Sequence, residues 1–159
     1  VIAFADERTS KRFGRYFVGF PTLICTRMSS EDGKMVVLEG NPVDRHIILV
    51  DDIIISGHTS LRCGELLRNS GAKTVSLFVT HGNFQNDSWK KFSNGPFDRV
   101  WLTDSCPQMA EALNRHGPPF EVMSMAPIAA GVIDEECFRF LSDPTAQANT
   151  RAPLTASRL

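Results

Sequence analysis

The chain has 159 residues, of which 42% are hydrophobic and 22% charged, and its formal net charge is −1. This length and composition predict an ordinary globular domain with a core of normal size. The nearly neutral charge argues against nucleic-acid binding, which needs a basic surface, and no apolar run is long enough for a transmembrane helix.

Predicted strands and helices alternate along most of the chain. Apolar runs rich in β-branched residues predict six strands, at residues 1–4, 22–26, 46–51, 74–80, 99–102 and 121–125. The helices are predicted at residues 10–17, 60–69, 88–92, 108–116 and 128–141. Ser105 with Gln108 predicts a capping box at the start of the fourth helix. This alternation indicates an α/β fold with a mainly parallel sheet flanked by helices.

The other segments predict how the chain is divided. Residues 28–40 are polar and contain glycine, which predicts a loop or a short hairpin. Residues 142–159, rich in Ala, Thr, Ser and Pro, are expected to be an extended tail after a domain of residues 1–141. An apolar strand begins at Val1 without an initiator Met, so we expect the chain to be a piece of a longer protein. The four cysteines lie more than thirty residues apart, so free thiols are expected.

The strand at residues 46–51 leads into two acids. Residues 47–50 form a continuous apolar run, typical of a central parallel strand covered on both faces. Asp51 and Asp52 follow, at the strand end where open α/β sheets bind ligands. Adjacent strand residues point to opposite faces, so the two carboxylates are expected to do different work. One can accept hydrogen bonds from vicinal ribose hydroxyls, while the other positions the loop or a hydrated Mg²⁺.

A small polar turn comes next, and it contains Ser56, Gly57, His58, Thr59 and Ser60. Hydroxyls and exposed backbone N–H groups just before a helix can hold a phosphate. A solvated turn is the alternative interpretation of the two acids and this turn. The apolar strand before them and the hydroxyl-rich turn after them favour a sugar-phosphate site.

Residues 47–59 resemble the phosphoribosyl-pyrophosphate loop of type I phosphoribosyltransferase folds. Further motifs narrow the likeness to the C-terminal half of ribose-phosphate pyrophosphokinase (phosphoribosyl pyrophosphate synthetase), in its phosphate-independent, plant-type class. These motifs, in the order expected for that family, are residues 4–7, 11–13, 79–82, 88–89, 101–108 and 119–122. The resemblance covers about residues 1–133.

The resemblance implies a phosphoribosyltransferase-like fold and transfer of the β,γ-diphosphoryl group of Mg·ATP to ribose 5-phosphate. Asp6 would be a catalytic residue near the Mg²⁺, and Arg27 a catalytic cation. Asp51 and Asp52 would bind the ribose hydroxyls. The cradle of the 5-phosphate would be Ser56, Gly57, His58, Thr59 and Ser60. Most ATP contacts would come from an N-terminal half that is absent here and from a neighbouring subunit of a homo-oligomer.

Four positions depart from the family pattern. Arg8 replaces a glycine that lets the backbone approach phosphate, and could either add a contact or block the site. Arg27 stands where the family has Lys, and Ser29 stands where it has Arg, which removes a cation that stabilises the transition state. His58 replaces a small residue, as a tolerated substitution or as a phosphate contact. The sequence therefore predicts binding more firmly than catalysis.

Two other functions remain open. The chain could be a non-catalytic subunit that associates with active synthetases, or a phosphoribosyltransferase acting on a purine or pyrimidine base. Neither a nucleic acid nor a membrane is expected as a partner. Ser157, Arg158 and Leu159 form a variant of the peroxisomal signal Ser-Lys-Leu. This variant predicts import into a peroxisome-like microbody such as a glycosome, with the cytoplasm as the alternative.

Overall fold

The structure is a computed structural model that describes residues 1–29 and 33–142, with the backbone alone for residues 136–142. The predicted tail, including the signal at Ser157, Arg158 and Leu159, lies outside the described residues. The chain divides into two compact units, of which the first is Val1–Met123 and the second starts at Ser124.

The strands of the described ranges form one seven-stranded sheet within the first unit. They are β1 (Ile2–Phe4), β2 (Thr22–Arg27), β3 (Met35–Glu39), β4 (His46–Ile54), β5 (Thr74–Gly82), β6 (Arg99–Thr103) and β7 (Phe120–Met123). Their order in space is β3-β2-β1-β4-β5-β6-β7, and every neighbouring pair is parallel except β2 with β3. This arrangement confirms the predicted α/β fold with a mainly parallel sheet.

Helices connect most of the strands. They are α1 (Glu7–Phe13), α2 (His58–Asn69), α3 (Lys90–Ser93), α4 (Pro107–His116) and α5 (Ala126–Ser142), and short 3₁₀ turns occupy Gly14–Phe17 and Gln85–Asp87. Helix α5 belongs to the second unit. No helix in the described part of the chain has both the length and the apolar character needed to cross a bilayer.

Two element boundaries differ from the sequence prediction for reasons visible in the backbone. Strand β4 continues to Ile54 because its parallel ladder with β5 continues to the pair Ile54 and Gly82. Asp51 and Asp52 therefore lie inside the strand rather than at its end. The segment predicted as a loop or short hairpin is a hairpin, since β3 pairs antiparallel with β2.

The starts of α1 and α4 also differ from the sequence prediction. Helix α1 begins at Glu7 because Asp6 Oδ1 accepts a hydrogen bond from the Thr9 backbone N–H at 2.6 Å, a side-chain N-cap. The predicted capping box at Ser105 is wrong, because the N-cap of α4 is Cys106 and no side chain makes a cap hydrogen bond there. The Ser105 Oγ donates to the Thr80 carbonyl at 2.9 Å. Helix α4 still starts there, at Pro107, a residue well suited to the first helical turn.

The core lies on both faces of the sheet and follows the alternation of side chains along each strand. On one face Phe4 and Val50 pack with Phe13 of α1. On the other face a larger cluster includes Leu67 of α2 and Leu113 of α4. Helices α1 and α2 therefore cover opposite faces. They also leave from neighbouring strands, because β1 and β4 are adjacent, and the strand order reverses direction between those two strands. Open sheets of this kind bind ligands at such a reversal.

Candidate functional site

Two adjoining cavities lie at the carboxyl ends of β1, β2 and β4. We call the first the sugar-phosphate cavity; its volume is about 320 Å³, and it is lined by Ala5, Asp6, Thr9 and residues 51–60. We call the second the basic cavity; its volume is about 430 Å³, and it is lined by Ala5, Asp6, Arg27, Met35, His58, Thr59 and Arg62. Every residue that the sequence predicted for the site lines at least one of them. The shared residues are Ala5, Asp6, His58 and Thr59, so the two cavities lie side by side.

Asp51 is the half-buried acid of the sugar-phosphate cavity. Its Oδ1 accepts from the Asp52 backbone N–H at 2.9 Å, and its Oδ2 accepts from the Ser60 hydroxyl at 3.4 Å. Burial raises the pKa of Asp51 to about 6, and the neighbouring Asp52 carboxylate adds to the rise. Burial therefore disfavours the ionised form of Asp51, and hydrogen bonds donated by hydroxyl groups of a ligand would reduce this cost.

Asp52 points toward the other face of the sheet. Its Oδ2 accepts from Arg12 of α1 at 2.7 Å, an ion pair near the surface. Asp51, in contrast, contacts Ser60 of α2. The two carboxylates therefore have different partners on opposite faces, as the strand alternation predicted. The partner Arg12 lies forty residues away along the chain, and the sequence motifs did not indicate this pair.

The polar turn ends at the first turn of α2, whose N-cap is Gly57. Gly57 has φ +75°, and a Cβ there would overlap the ring of Phe92. The position therefore requires glycine for both its backbone conformation and its close packing. The first N–H groups of a helix have no partner within the helix, so those of His58, Thr59 and Ser60 are suited to an anion. The buried Ser60 hydroxyl donates to Asp51, so the group of Ser60 that is suited to an anion is its backbone N–H.

His58 has a partner that the sequence did not suggest. Lys91 Nζ lies 3.3 Å from His58 Nε2. An ammonium group can only donate hydrogen bonds, so Nε2 is the acceptor in this contact. His58 lines both cavities, and Lys91 contacts its ring. Lys91 lies 33 positions away on a short helix, a separation at which no local sequence pattern could have indicated the pair.

Asp6 and Arg27 stand at the ends of two neighbouring strands. Asp6 lines both cavities, but its Oδ1 is already the cap of α1. The Arg27 guanidinium lies against Gly33, where a Cβ would overlap it. Arg8 and Ser29 are exposed and line neither cavity. Within the described ranges, no group of three or more His, Cys, Asp or Glu side chains is arranged to hold a metal ion.

Two further polar lining residues were missed by the sequence analysis. Thr9 lies in the first turn of α1, where its N–H is bound by Asp6. Arg62 lies four residues after His58 on α2, and residues at that spacing share one helix face. This spacing is a signal from which Arg62 could have been found.

Comparison with known proteins agrees with the sequence motifs. Residues 21–124 match the family described as the phosphoribosyl synthetase-associated domain. Ribose-phosphate pyrophosphokinase 4 of Arabidopsis thaliana is 41% identical over 133 residues, which cover 79% of this chain and 39% of that protein. Ribose-phosphate pyrophosphokinase 3, chloroplastic, of Oryza sativa subsp. japonica is 39% identical over 140 residues, covering 82% of this chain and 34% of that protein. The chain thus spans about two fifths or less of the length of these curated relatives.

A solved structure shares the fold. The crystal structure of phosphoribosylpyrophosphate synthetase from Mycobacterium smegmatis superimposes with a TM-score of 0.69 at 24% identity. The match covers 87% of this chain and 45% of that chain.

Proposed function

Because the chain belongs to the phosphoribosyl synthetase-associated domain family, we propose that it carries the ribose 5-phosphate half of a ribose-phosphate diphosphokinase active site. One observation carries this proposal. Asp51, Asp52 and the N-terminus of α2 line a single cavity, so hydroxyl acceptors and phosphate donors face the same space. The curated relatives are named as ribose-phosphate pyrophosphokinases, which supports the same reaction.

The two ends of the cavity suit the two ends of the sugar phosphate. Asp51 and Asp52 accept hydrogen bonds from the ribose hydroxyls, which are charge-assisted and therefore strong. The N–H groups at the start of α2 and the Thr59 hydroxyl donate to the 5-phosphate, and the helix dipole adds to the attraction. The anomeric hydroxyl then lies near Asp6 and Arg27 in the neighbouring basic cavity.

The proposed reaction depends on positioning and on positive charge. Diphosphoryl transfer spreads negative charge over phosphate oxygens, which Arg27 would help to neutralise. Mg²⁺ usually binds through one or two carboxylates, substrate phosphates and water. Asp6 fits this mode without a preformed three-residue site, because among the described residues only its Oδ1 has a hydrogen-bond donor. When bound, the ion would neutralise diphosphoryl oxygens and fix their orientation. We propose that ATP is held mainly by protein outside this chain, in an N-terminal half and a neighbouring subunit of a homo-oligomer.

A non-catalytic binding subunit is the second candidate. The observation that favours it is the position of Ser29, which is exposed and lines neither cavity. A phosphoribosyltransferase acting on a base would use the same sugar-phosphate cavity. The experiment that tests the proposed function therefore includes an assay for this transferase.

The test of the proposed function is calorimetric titration of the chain with ribose 5-phosphate in the presence of Mg²⁺. We expect saturable binding, and at least tenfold weaker binding of free ribose, because the α2 N-terminus then has no phosphate to bind. Absence of ribose 5-phosphate binding would contradict the assignment of the sugar-phosphate cavity as its binding site. The longest natural protein containing the chain should then be assayed with ATP plus ribose 5-phosphate, and with phosphoribosyl pyrophosphate plus free bases. Product in the first assay alone supports the diphosphokinase, and product in neither supports the binding subunit.

We also propose, from the sequence Ser157-Arg158-Leu159 alone, that a protein ending at Leu159 is imported into a peroxisome-like microbody. Removing Leu159 from an N-terminally tagged protein is expected to leave it in the cytoplasm, because the import receptor recognises the last three residues. Fluorescence microscopy of the tagged protein measures the change. An identical distribution of both forms would contradict this proposal.

A further inference from the structure

The basic cavity holds two guanidinium groups from different elements. Arg27 comes from the end of β2 and Arg62 from the second turn of α2. Neither forms an ion pair with another residue in the ranges 1–29 and 33–142. Asp6 is the one carboxylate among the residues that line the cavity. Two cations facing a cavity with a single acid indicate that its ligand is an anion of more than one charge.

The position of Arg62 follows from the packing of α2. The neighbouring residues Cys63 and Gly64 are buried, and a Cβ at residue 64 would overlap Pro96 and Phe97. Arg62 lies on the opposite, exposed side of the helix, one turn after His58. The helix therefore carries Arg62 on the side that faces the β2–β3 hairpin, where Met35 completes the cavity lining.

The two adjoining cavities match one ligand with an anionic group at each end. The sugar-phosphate cavity accommodates a pentose with a phosphate at one end, and the basic cavity begins where the other end of the sugar would lie. A planar guanidinium binds phosphate oxygens in pairs. Asp6 lies between the cavities and would repel such an anion, which favours a divalent cation as a bridge between them.

We propose that Arg62 binds the diphosphate group carried by the anomeric carbon of the pentose, together with Arg27. This inference rests on the proposed function and assigns to it a residue that the sequence motifs do not contain. Arg62 then supplies a second cation from a rigid helix, close to the reacting end of the sugar.

The test compares three ligands by calorimetry in the presence of Mg²⁺: ribose 5-phosphate, phosphoribosyl pyrophosphate and inorganic pyrophosphate. Arg62→Leu is expected to weaken binding of the two diphosphate ligands about tenfold, because a charge-assisted contact is lost. Ribose 5-phosphate binding should change less than twofold. Arg62→Lys should give an intermediate loss, since it keeps the charge without the paired donors. Arg115→Leu, an exposed helical arginine paired with Glu111 on α4, is the matched control and should change none of the three affinities.

The outcomes separate this inference from the proposed function. If wild-type chain binds phosphoribosyl pyrophosphate and Arg62→Leu binds it equally well, Arg62 has no such role while the sugar-phosphate site stands. An equal loss for ribose 5-phosphate and the diphosphate ligands also overturns the inference, because Arg62 would then act on the other cavity. If no sugar phosphate binds but pyrophosphate binds in an Arg62-dependent way, the diphosphate site is supported and the proposed function is not. Absence of pyrophosphate and phosphoribosyl pyrophosphate binding in the wild-type chain overturns the inference about Arg62, and the proposed function falls with it only if ribose 5-phosphate also fails to bind.

Discussion

Replacing Asp51 by Asn is expected to weaken ribose 5-phosphate binding by roughly tenfold to a hundredfold and to stabilise the fold at pH 7. The binding loss corresponds to about 1.5–3 kcal/mol, the usual contribution of hydrogen bonds to a charged group. The gain in stability arises because Asp51 is ionised at pH 7 in a half-buried position. A neutral amide keeps an oxygen that can accept from Ser60 or from the Asp52 backbone N–H, without the cost of a buried charge.

The sign of the pH dependence follows from the raised pKa of Asp51. That pKa is about 6 in the folded chain and 3.8 in the reference state. Between these values the folded state binds a proton that the unfolded state has released, so the free energy of unfolding falls as pH rises through this window. At pH 7 the full cost is about 3 kcal/mol, and near pH 4 it is almost gone. Asp51→Asn should therefore stabilise the chain at pH 7 and have little effect at pH 4.

Urea denaturation at pH 4, 5.5 and 7 measures this difference. Asp52→Asn is the comparison for stability, because its carboxylate is in an ion pair near the surface with Arg12, a type worth about 0–1 kcal/mol. A destabilising Asp51→Asn at pH 7, or an effect that does not change with pH, would contradict a burial cost at Asp51. Unchanged ribose 5-phosphate affinity would contradict its role in the sugar-phosphate cavity.

The second large effect is expected for Gly57→Ala. The backbone of Gly57 is left-handed at φ +75°, which costs an alanine about 1 kcal/mol. The added Cβ would also overlap the ring of Phe92, and overpacking of this kind costs about 1–3 kcal/mol. We therefore expect a loss of about 2–4 kcal/mol in the free energy of unfolding. Ribose 5-phosphate binding should fall at least tenfold, because any shift of residue 57 moves the first N–H groups of α2.

Two other glycines separate the two causes of this loss, backbone strain and steric overlap. Gly19 has φ +94° with no atom within 4 Å of an added Cβ, so Gly19→Ala measures backbone strain alone. Gly64 lies inside α2, and its Cβ would lie 2.6 Å from Pro96 Cγ, so Gly64→Ala measures overlap, offset by the higher helix propensity of alanine of about 1 kcal/mol. Chemical denaturation should show that Gly57→Ala loses more free energy of unfolding than Gly19→Ala. Equal losses for Gly57→Ala and Gly19→Ala would show that Phe92 moves aside without cost.

The elements that the sequence located well are those specified by local patterns. The apolar run at residues 47–50 predicted a central parallel strand, and β4 is paired on both sides, with β1 and β5. Helix α2 begins two residues earlier than predicted, and α4 begins one residue earlier. The motif order also identified the family, which the match over residues 21–124 confirms. A short run of residues is enough in these cases, because hydrophobic periodicity and turn chemistry act over a few positions.

Boundaries and partners were decided by residues far apart in the chain. Strand β4 extends past its acids because β5 continues to pair with it, and no property of Asp51 or Asp52 signals that extension. The partner of Asp52 is Arg12 of α1, and the partner of His58 is Lys91 of α3. Ser105 fits a capping box locally, but its hydroxyl donates to the Thr80 carbonyl at the end of β5 and makes no cap hydrogen bond to α4. In each case a long-range contact overrides the local preference.

The sequence by itself determined the fold class, the family and the residue types of the sugar-phosphate cavity. The fold class follows from the alternation of strands and helices along the chain, and the family from the order of short motifs between residues 4 and 122. The residue types of the cavity follow from local features of residues 46–69, the side-chain alternation of one strand and the N-terminus of the next helix. Only the tertiary structure decided that β1 and β2 end beside this segment and bring Asp6 and Arg27 to it. It also decided that Asp51 is half-buried while Asp52 pairs with Arg12, and that Arg62 faces the same cavity as Arg27. Burial and charge proximity arise only when separate elements pack together, so no single segment could have specified them.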